Sequence, residues 1–123
     1  MGRADGAWLA VAAVNGAIAV ALGAFASHGL AGQPAEWART ASQYQMAHAL
    51  ALAVLAATGL AGRAAALARW LFVVGIVLFS GSLYALALGA PRGAAAAAPV
   101  GGMALILGWI AVAVAGIGLA RRR

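Results

Sequence analysis

The chain has no cysteine, no lysine and only two acidic residues, Asp5 and Glu36. Without cysteine there are no disulfides, thiolate nucleophiles, Cys-ligated zinc sites or iron–sulfur clusters within this chain. No charged side chain is expected deep inside an apolar stretch, so the intramembrane charges used by proton relays, coupled transporters and cation channels are missing. No acid is placed to complete a Ser/His/Asp set, and Gly-rich phosphate-loop and HExxH patterns are absent. The chain is therefore expected not to be an enzyme.

What is present is apolar. Of 123 residues, 66% are hydrophobic and 8% charged, and mean hydropathy is +0.99. A small soluble domain leaves a large share of its surface in water and could not hide this much apolar area. Lipid as solvent removes the difficulty. A span needs about 20 apolar residues to cross roughly 30 Å of hydrocarbon. Four stretches qualify, at about 8–26, 44–61, 69–89 and 99–120. Only helices and closed barrels satisfy their backbone in lipid, and these runs lack the alternation of barrel strands. The fold class expected is all-α: a polytopic membrane protein with four transmembrane helices in an up-down bundle, and residues 1–123 as one domain.

Eight arginines and two acids give a net charge of +6. The arginines flank apolar runs instead of forming a basic stripe with aromatics, so membrane lipid headgroups are the expected partner and nucleic acid is not. With four spans both termini share a side. Arg3, Arg63, Arg69, Arg121, Arg122 and Arg123 fall on that side, Arg39 and Arg92 on the other, and six against two places both termini in the cytoplasm. Trp8 and Trp70 then fall at the cytoplasmic interface. A competing reading takes Arg3, the first apolar run and Ala24-Phe25-Ala26 as a cleaved signal peptide. At about 18 residues the run is longer than the usual h-region of about 7–15.

Between the first two spans, Gly29 and Gly32 suit helix C-caps, and Pro34 with Glu36 suits a helix start. A helix from near Pro34 should run directly into span two. Residues 93–98, a glycine and five alanines, read as a flexible turn. Small residues at i, i+4 spacing (Ala19/Gly23, Gly81/Ala85/Gly89, Ala104/Gly108, Val112/Gly116) suit close helix packing.

The few polar residues within the spans are the only lead to a site. Trp37, Ala41, Tyr44, Gln45 and His48 fall on one face of span two, within an arc of roughly 100°. His48 is expected about a turn below the outer boundary, His28 at a similar height at the end of span one, and Tyr84 and Ser80 near the outer side of span three. These groups would converge on an outer pocket. Two imidazoles can ligate haem iron or copper, and Tyr and Gln can orient a quinone. The same side chains also serve as an interhelical hydrogen-bonded lock, each pair contributing about 0.6 kcal/mol. Asn15, about 20 Å from His28, is expected outside this cluster, bonded to Thr58, Trp109 or a backbone carbonyl. Trp109 needs an acceptor for its indole N–H. Ser82 faces away from Ser80 and Tyr84, back to its own helix.

Four strings carry a family resemblance. Gly23-Ala24-Phe25-Ala26-Ser27-His28-Gly29-Leu30 is similar to GAFGAHGL. The segment from Thr40 to Leu52 is similar to TAxQYQxxHALAL. Leu78 to Tyr84 resembles LFSGSLY. Pro99-Val100-Gly101-Gly102 with Ile106-Leu107-Gly108-Trp109 resembles TPLGG…ILGW. Together they resemble the YgdD-like family of small inner-membrane proteins, a domain of unknown function with eukaryotic small transmembrane relatives. The resemblance covers nearly the whole chain. It implies a multi-pass, four-helix protein of the bacterial inner membrane and no established reaction or cofactor. The motif residues carried over are His28, Gln43, Tyr44, Gln45, His48, Ser80, Ser82 and Tyr84. Ala26-Ser27 replaces the motif's Gly-Ala, and Ala98 its Thr, which removes a hydroxyl able to cap span four.

The leading expectation is a non-enzymatic structural or accessory component, as a homo-oligomer or docked to a larger membrane complex. The alternative is a protein that binds a lipophilic molecule or quinone in the His/Gln/Tyr pocket. A third reading is a haem or copper redox subunit.

Overall fold

The structure, a computed structural model, describes residues 2–122. All regular secondary structure among them is helical. Four long helices occur in order: α1 (Arg3–Gly29), α2 (Gly32–Thr58), α3 (Arg63–Ala87) and α4 (Ala97–Arg121). A π-helical turn, Ile76–Ser80, interrupts α3, and a 3₁₀ turn, Arg92–Ala96, leads into α4.

The helix ends obey local chemistry. Leu30 and Ala31 are extended, and Gly32 at φ +63° takes the left-handed conformation that turns α1 back into α2. Pro34 and Glu36 sit in the first turns of α2, so one helix does run from near Pro34 through the second apolar stretch, as expected. Gly59 closes α2 at φ +64°, its N–H bonded to the Ala56 carbonyl at 3.3 Å. The alanine run after Gly93 is not a flexible turn. Alanine is the strongest helix former, and the run continues through the 3₁₀ turn into α4. Pro99 is accommodated because first-turn amides need no intrahelical partner.

Neighbouring helices pack antiparallel. Ser42 meets Ala19 while Gln45 meets Asn15, and Gly101 meets Phe79 while Gly108 meets Phe72. α1 packs on α2, α2 on α3, and α3 on α4. The buried face of α1 is an alanine stripe, Ala12, Ala19 and Ala26, repeating every seven residues. This brings its backbone close to α2. Gly23 makes room for Ser42, whose hydroxyl oxygen would lie 2.6 Å from an added Cβ. On the other side, Gly101 and Gly108 let α4 press against the backbone at Leu78–Phe79 and the ring of Phe72. Gly81 and Gly116, expected to belong to such seams, face open space.

Small residues line the interior while large apolar residues such as Val20, Val54, Val77, Ile106 and Ile117 point outward. That distribution suits hydrocarbon outside. Among the described residues three helices are long and apolar enough to cross a membrane: α1, α3 and the Arg92–Arg121 stretch. α2, with 27 residues, has the length but carries Gln43, Tyr44, Gln45 and His48. Hydropathy counts these residues whichever way they point, and Gln45 and His48 are buried inside the bundle.

Candidate functional site

Gln45 is the middle residue of α2, and it is 4% exposed. Its amide joins three helices. The Tyr84 hydroxyl on α3 donates to Gln45 Oε1 at 2.7 Å, Gln45 Nε2 donates to Asn15 Oδ1 on α1 at 3.0 Å, and Asn15 Nδ2 donates to the Val11 carbonyl at 2.9 Å. One directional chain of hydrogen bonds thus crosses the bundle from α3 to α1. Tyr84 reaches the level of Gln45 because long helical side chains lean toward the N-terminus of their own helix.

Less than one turn further along α2, His48 joins the fourth helix. Trp109 Nε1 on α4 donates to His48 Nε2 at 3.0 Å. An indole N–H only donates, so Nε2 accepts and the imidazole proton lies on Nδ1. That proton is given to the Tyr44 carbonyl at 2.6 Å. Both ring nitrogens are therefore engaged in the neutral form. Phe72 packs against both rings, with centroids 5.4 Å from His48 and 5.1 Å from Trp109.

Two serines pin helix backbones. Ser42 donates to the Ala19 carbonyl and Ser80 to the Ala41 carbonyl, each at 2.8 Å, and Ser80 is 1% exposed within the π turn. A π turn widens the helix by a residue and rotates the rest of α3 about its axis. Ser82 bonds back to the Phe79 carbonyl of its own helix, as its position implied.

The other expected site residues lie elsewhere. His28 is exposed in the last turn of α1. His48 lies sixteen residues, about 24 Å of helix, below the start of α2, so the two histidines share neither a height nor a pocket. Gln43 faces outward beside a shallow groove that includes Ala19, Gly23 and Met46. Tyr44 is half exposed, its ring 4.7 Å from Phe79. Asn15, expected outside the cluster, is part of it. The expectation failed because it measured height from the apolar boundary of span two at Tyr44, whereas the α1–α2 hairpin turns at Leu30–Gly32, twelve residues earlier, and its register sets Asn15 opposite Gln45.

Sequence reasoning gave Arg69 no role beyond its charge. It was expected at the mouth of span three, but it is buried two turns inside α3, 8% exposed. Its guanidinium donates to the Leu60 carbonyl at 2.8 Å, reaches the Leu55 carbonyl at 3.5 Å and lies 3.9 Å from Asp5 of α1. It caps the C-terminal end of α2, where the helix dipole favours a cation. Arg69 Nε is the one buried side-chain polar atom without a partner among the described residues. No signal in the sequence distinguishes this arginine from those that flank spans.

Among the described residues no three His, Asp or Glu side chains gather at metal-binding distance. The hollow that touches the polar chain at Tyr84, between Leu22, Phe25, Ala38 and Leu88, holds about 30 Å³. Small-molecule pockets run to about 300–1,000 Å³.

The family described as a protein of unknown function, DUF423, matches residues 22–102. The UPF0382 membrane protein YwdK of Bacillus subtilis is 43% identical over 117 residues, covering 89% of this chain and 95% of the relative. A UPF0382 membrane protein of Haemophilus influenzae is 40% identical over 113 residues, covering 86% and 90%. The UPF0382 inner membrane protein YgdD of Escherichia coli K12 is 40% identical over 124 residues, covering 93% and 92%. No solved structure matches. The family match spans the first three motif strings and the start of the fourth, and these relatives align over nearly their full length, so the chain belongs to the DUF423 (UPF0382) family of small membrane proteins.

Proposed function

We propose that this protein is a multi-pass inner-membrane component without enzymatic activity, whose four helices all span the membrane and whose polar core is a structural lock. The observation that carries the reading is that the polar core is saturated. Both nitrogens of His48 and both ends of the Gln45 amide are already bonded. A ligand or metal at His48 would have to displace Trp109 or Tyr44. Gln45 and His48 of α2 turn inward, which is how a membrane helix carries polar groups at least cost, while Gln43 faces outward.

The topology has both termini in the cytoplasm. Arg69 is engaged inside the bundle, so the charges left to orient the chain are Arg3, Arg63, Arg121, Arg122 and Arg123 against Arg39 and Arg92. Five against two keeps the same direction. Trp8 and Trp70, edge to face at 5.2 Å, mark the cytoplasmic interface. The bacterial inner membrane is the expected location, by analogy with the Escherichia coli relative, which is named an inner membrane protein. Its working setting is a homo-oligomer or a larger membrane complex, since nearly the whole chain is helix with little mass outside it.

The native mass spectrum and absorbance spectrum of the gently purified protein, alongside His48→Ala, test this reading. A parent that carries no small molecule, quinone, haem or metal at the polar core, with a less stable His48→Ala variant, supports the lock. A bound species lost on substitution would establish a ligand-handling role instead. The native chain has no cysteine, so single cysteines at Gly2 and Arg92 report topology by labelling from either side of the membrane.

A further inference from the structure

A hollow of about 360 Å³ opens at the arginine-rich end, between the α2–α3 turn and the last turns of α4. Arg63 and Arg122 line it on opposite elements, and both are exposed. No side chain caps α3 at Gly62, so the first amide groups of that helix, at Arg63 and Ala64, have no side-chain partner on the same wall. The rest of the lining includes the apolar Leu60, Val114, Ala115, Gly118 and Leu119, and Thr58, whose hydroxyl is already given to the Val54 carbonyl. Among the described residues the nearby carboxylate is Asp5, which approaches the turn at Gly59 from α1, with its oxygens facing Gly2 N and Arg69.

We propose that this hollow binds one anionic phospholipid, with its phosphodiester between Arg63 and Arg122 and an acyl chain laid along Val114, Ala115 and Gly118. Two guanidiniums and a helix start are suited to a phosphate oxygen set. A free phosphate would use the cationic part and leave the apolar wall bare, whereas a lipid uses both. The level is right for a headgroup, since Trp8 and Trp70 sit at the same end of the bundle. The site rests on the membrane placement proposed above, but the two fail separately: cysteine labelling tests the placement, lipid retention tests the site.

The experiment is native mass spectrometry of protein exchanged into equal phosphatidylglycerol and phosphatidylcholine. One phosphatidylglycerol should be retained in preference. Arg63→Gln or Arg122→Gln alone should weaken retention about fivefold, and the pair about thirtyfold. Arg3→Gln, at the same end but off the hollow, should leave it unchanged. Gly118→Leu keeps both arginines and fills the apolar wall. An added Cβ there meets nothing within 4 Å, so the fold should tolerate it while the lipid is lost. Equal retention of the two lipids, the same loss in Arg3→Gln, full retention in Gly118→Leu, or displacement by millimolar inorganic phosphate would each overturn the proposal.

Discussion

Trp109 and His48 face each other at 3.0 Å across the gap between α4 and α2, and the indole proton fixes which imidazole nitrogen accepts. The His48 Nδ1 proton is in turn committed to the Tyr44 carbonyl. In water such a bond is exchanged against solvent at little net gain. In hydrocarbon the only alternative partners are other protein groups, which is why the measured worth is modest, about 0.6 kcal/mol on average.

Gln45→Leu keeps most of the side-chain volume and removes both ends of the amide. Asn15 Oδ1 and the Tyr84 hydroxyl then lose their partners together. The expected loss is about 1–3 kcal/mol in a detergent unfolding titration. Tyr84→Phe, which leaves Gln45 bonded to Asn15, should cost only about 0.6 kcal/mol.

Gly101→Ala should weaken the α3–α4 contact. The added Cβ would meet the Phe79 amide nitrogen and lie 2.8 Å from the Leu78 carbonyl carbon, and both are backbone that cannot rotate away. A loss of about 1–3 kcal/mol is expected from such overpacking. Gly81→Ala is the control. Nothing lies within 4 Å of its Cβ, and a mid-helix glycine replaced by alanine should gain about 0.5–1 kcal/mol. The two substitutions should move the unfolding midpoint in opposite directions.

Arg69→Ala strips the cation from the end of α2 and leaves the Leu60 carbonyl without its 2.8 Å donor. The expected loss is about 2–3 kcal/mol, read by the same titration. Arg69→Lys should recover only part of it, because an ammonium cannot reproduce the guanidinium fork.

His28→Ala should change stability by no more than about 0.5 kcal/mol, since the ring is exposed and makes no bond to the polar core. A large effect in the same titration would mean that His28 has a role the bundle geometry does not give it.

Helical class, the helix that starts near Pro34 and continues into the second apolar stretch, and the inward placing of Gln45 and His48 were all legible from hydropathy and helical periodicity. Height was not. Periodicity says which way Gln45 points but not which residue of α1 stands opposite. That depends on where the chain reverses, and the reversal at Leu30–Gly32 lies well above the apolar boundary that hydropathy marks. Asn15 was misplaced and His28 was wrongly grouped with His48 for that one reason. Arg69 looked like any arginine at a span boundary, because the carbonyls of Leu55 and Leu60 that hold it come from another helix and a turn. The π turn at Ile76–Ser80 has no counterpart in composition. It occurs where Ser80 reaches the Ala41 carbonyl and Gly101 presses on Phe79.

The most direct measurement is a double-mutant cycle on His48→Phe and Trp109→Phe, with unfolding free energies in detergent or bicelles. A lock requires a coupling of about 0.6 kcal/mol, with about 1.7 as the upper range, so Trp109→Phe should cost less by that amount once His48 is gone. Strictly additive losses would mean the two residues do not hold each other, and the polar core would then have to be explained by something it binds.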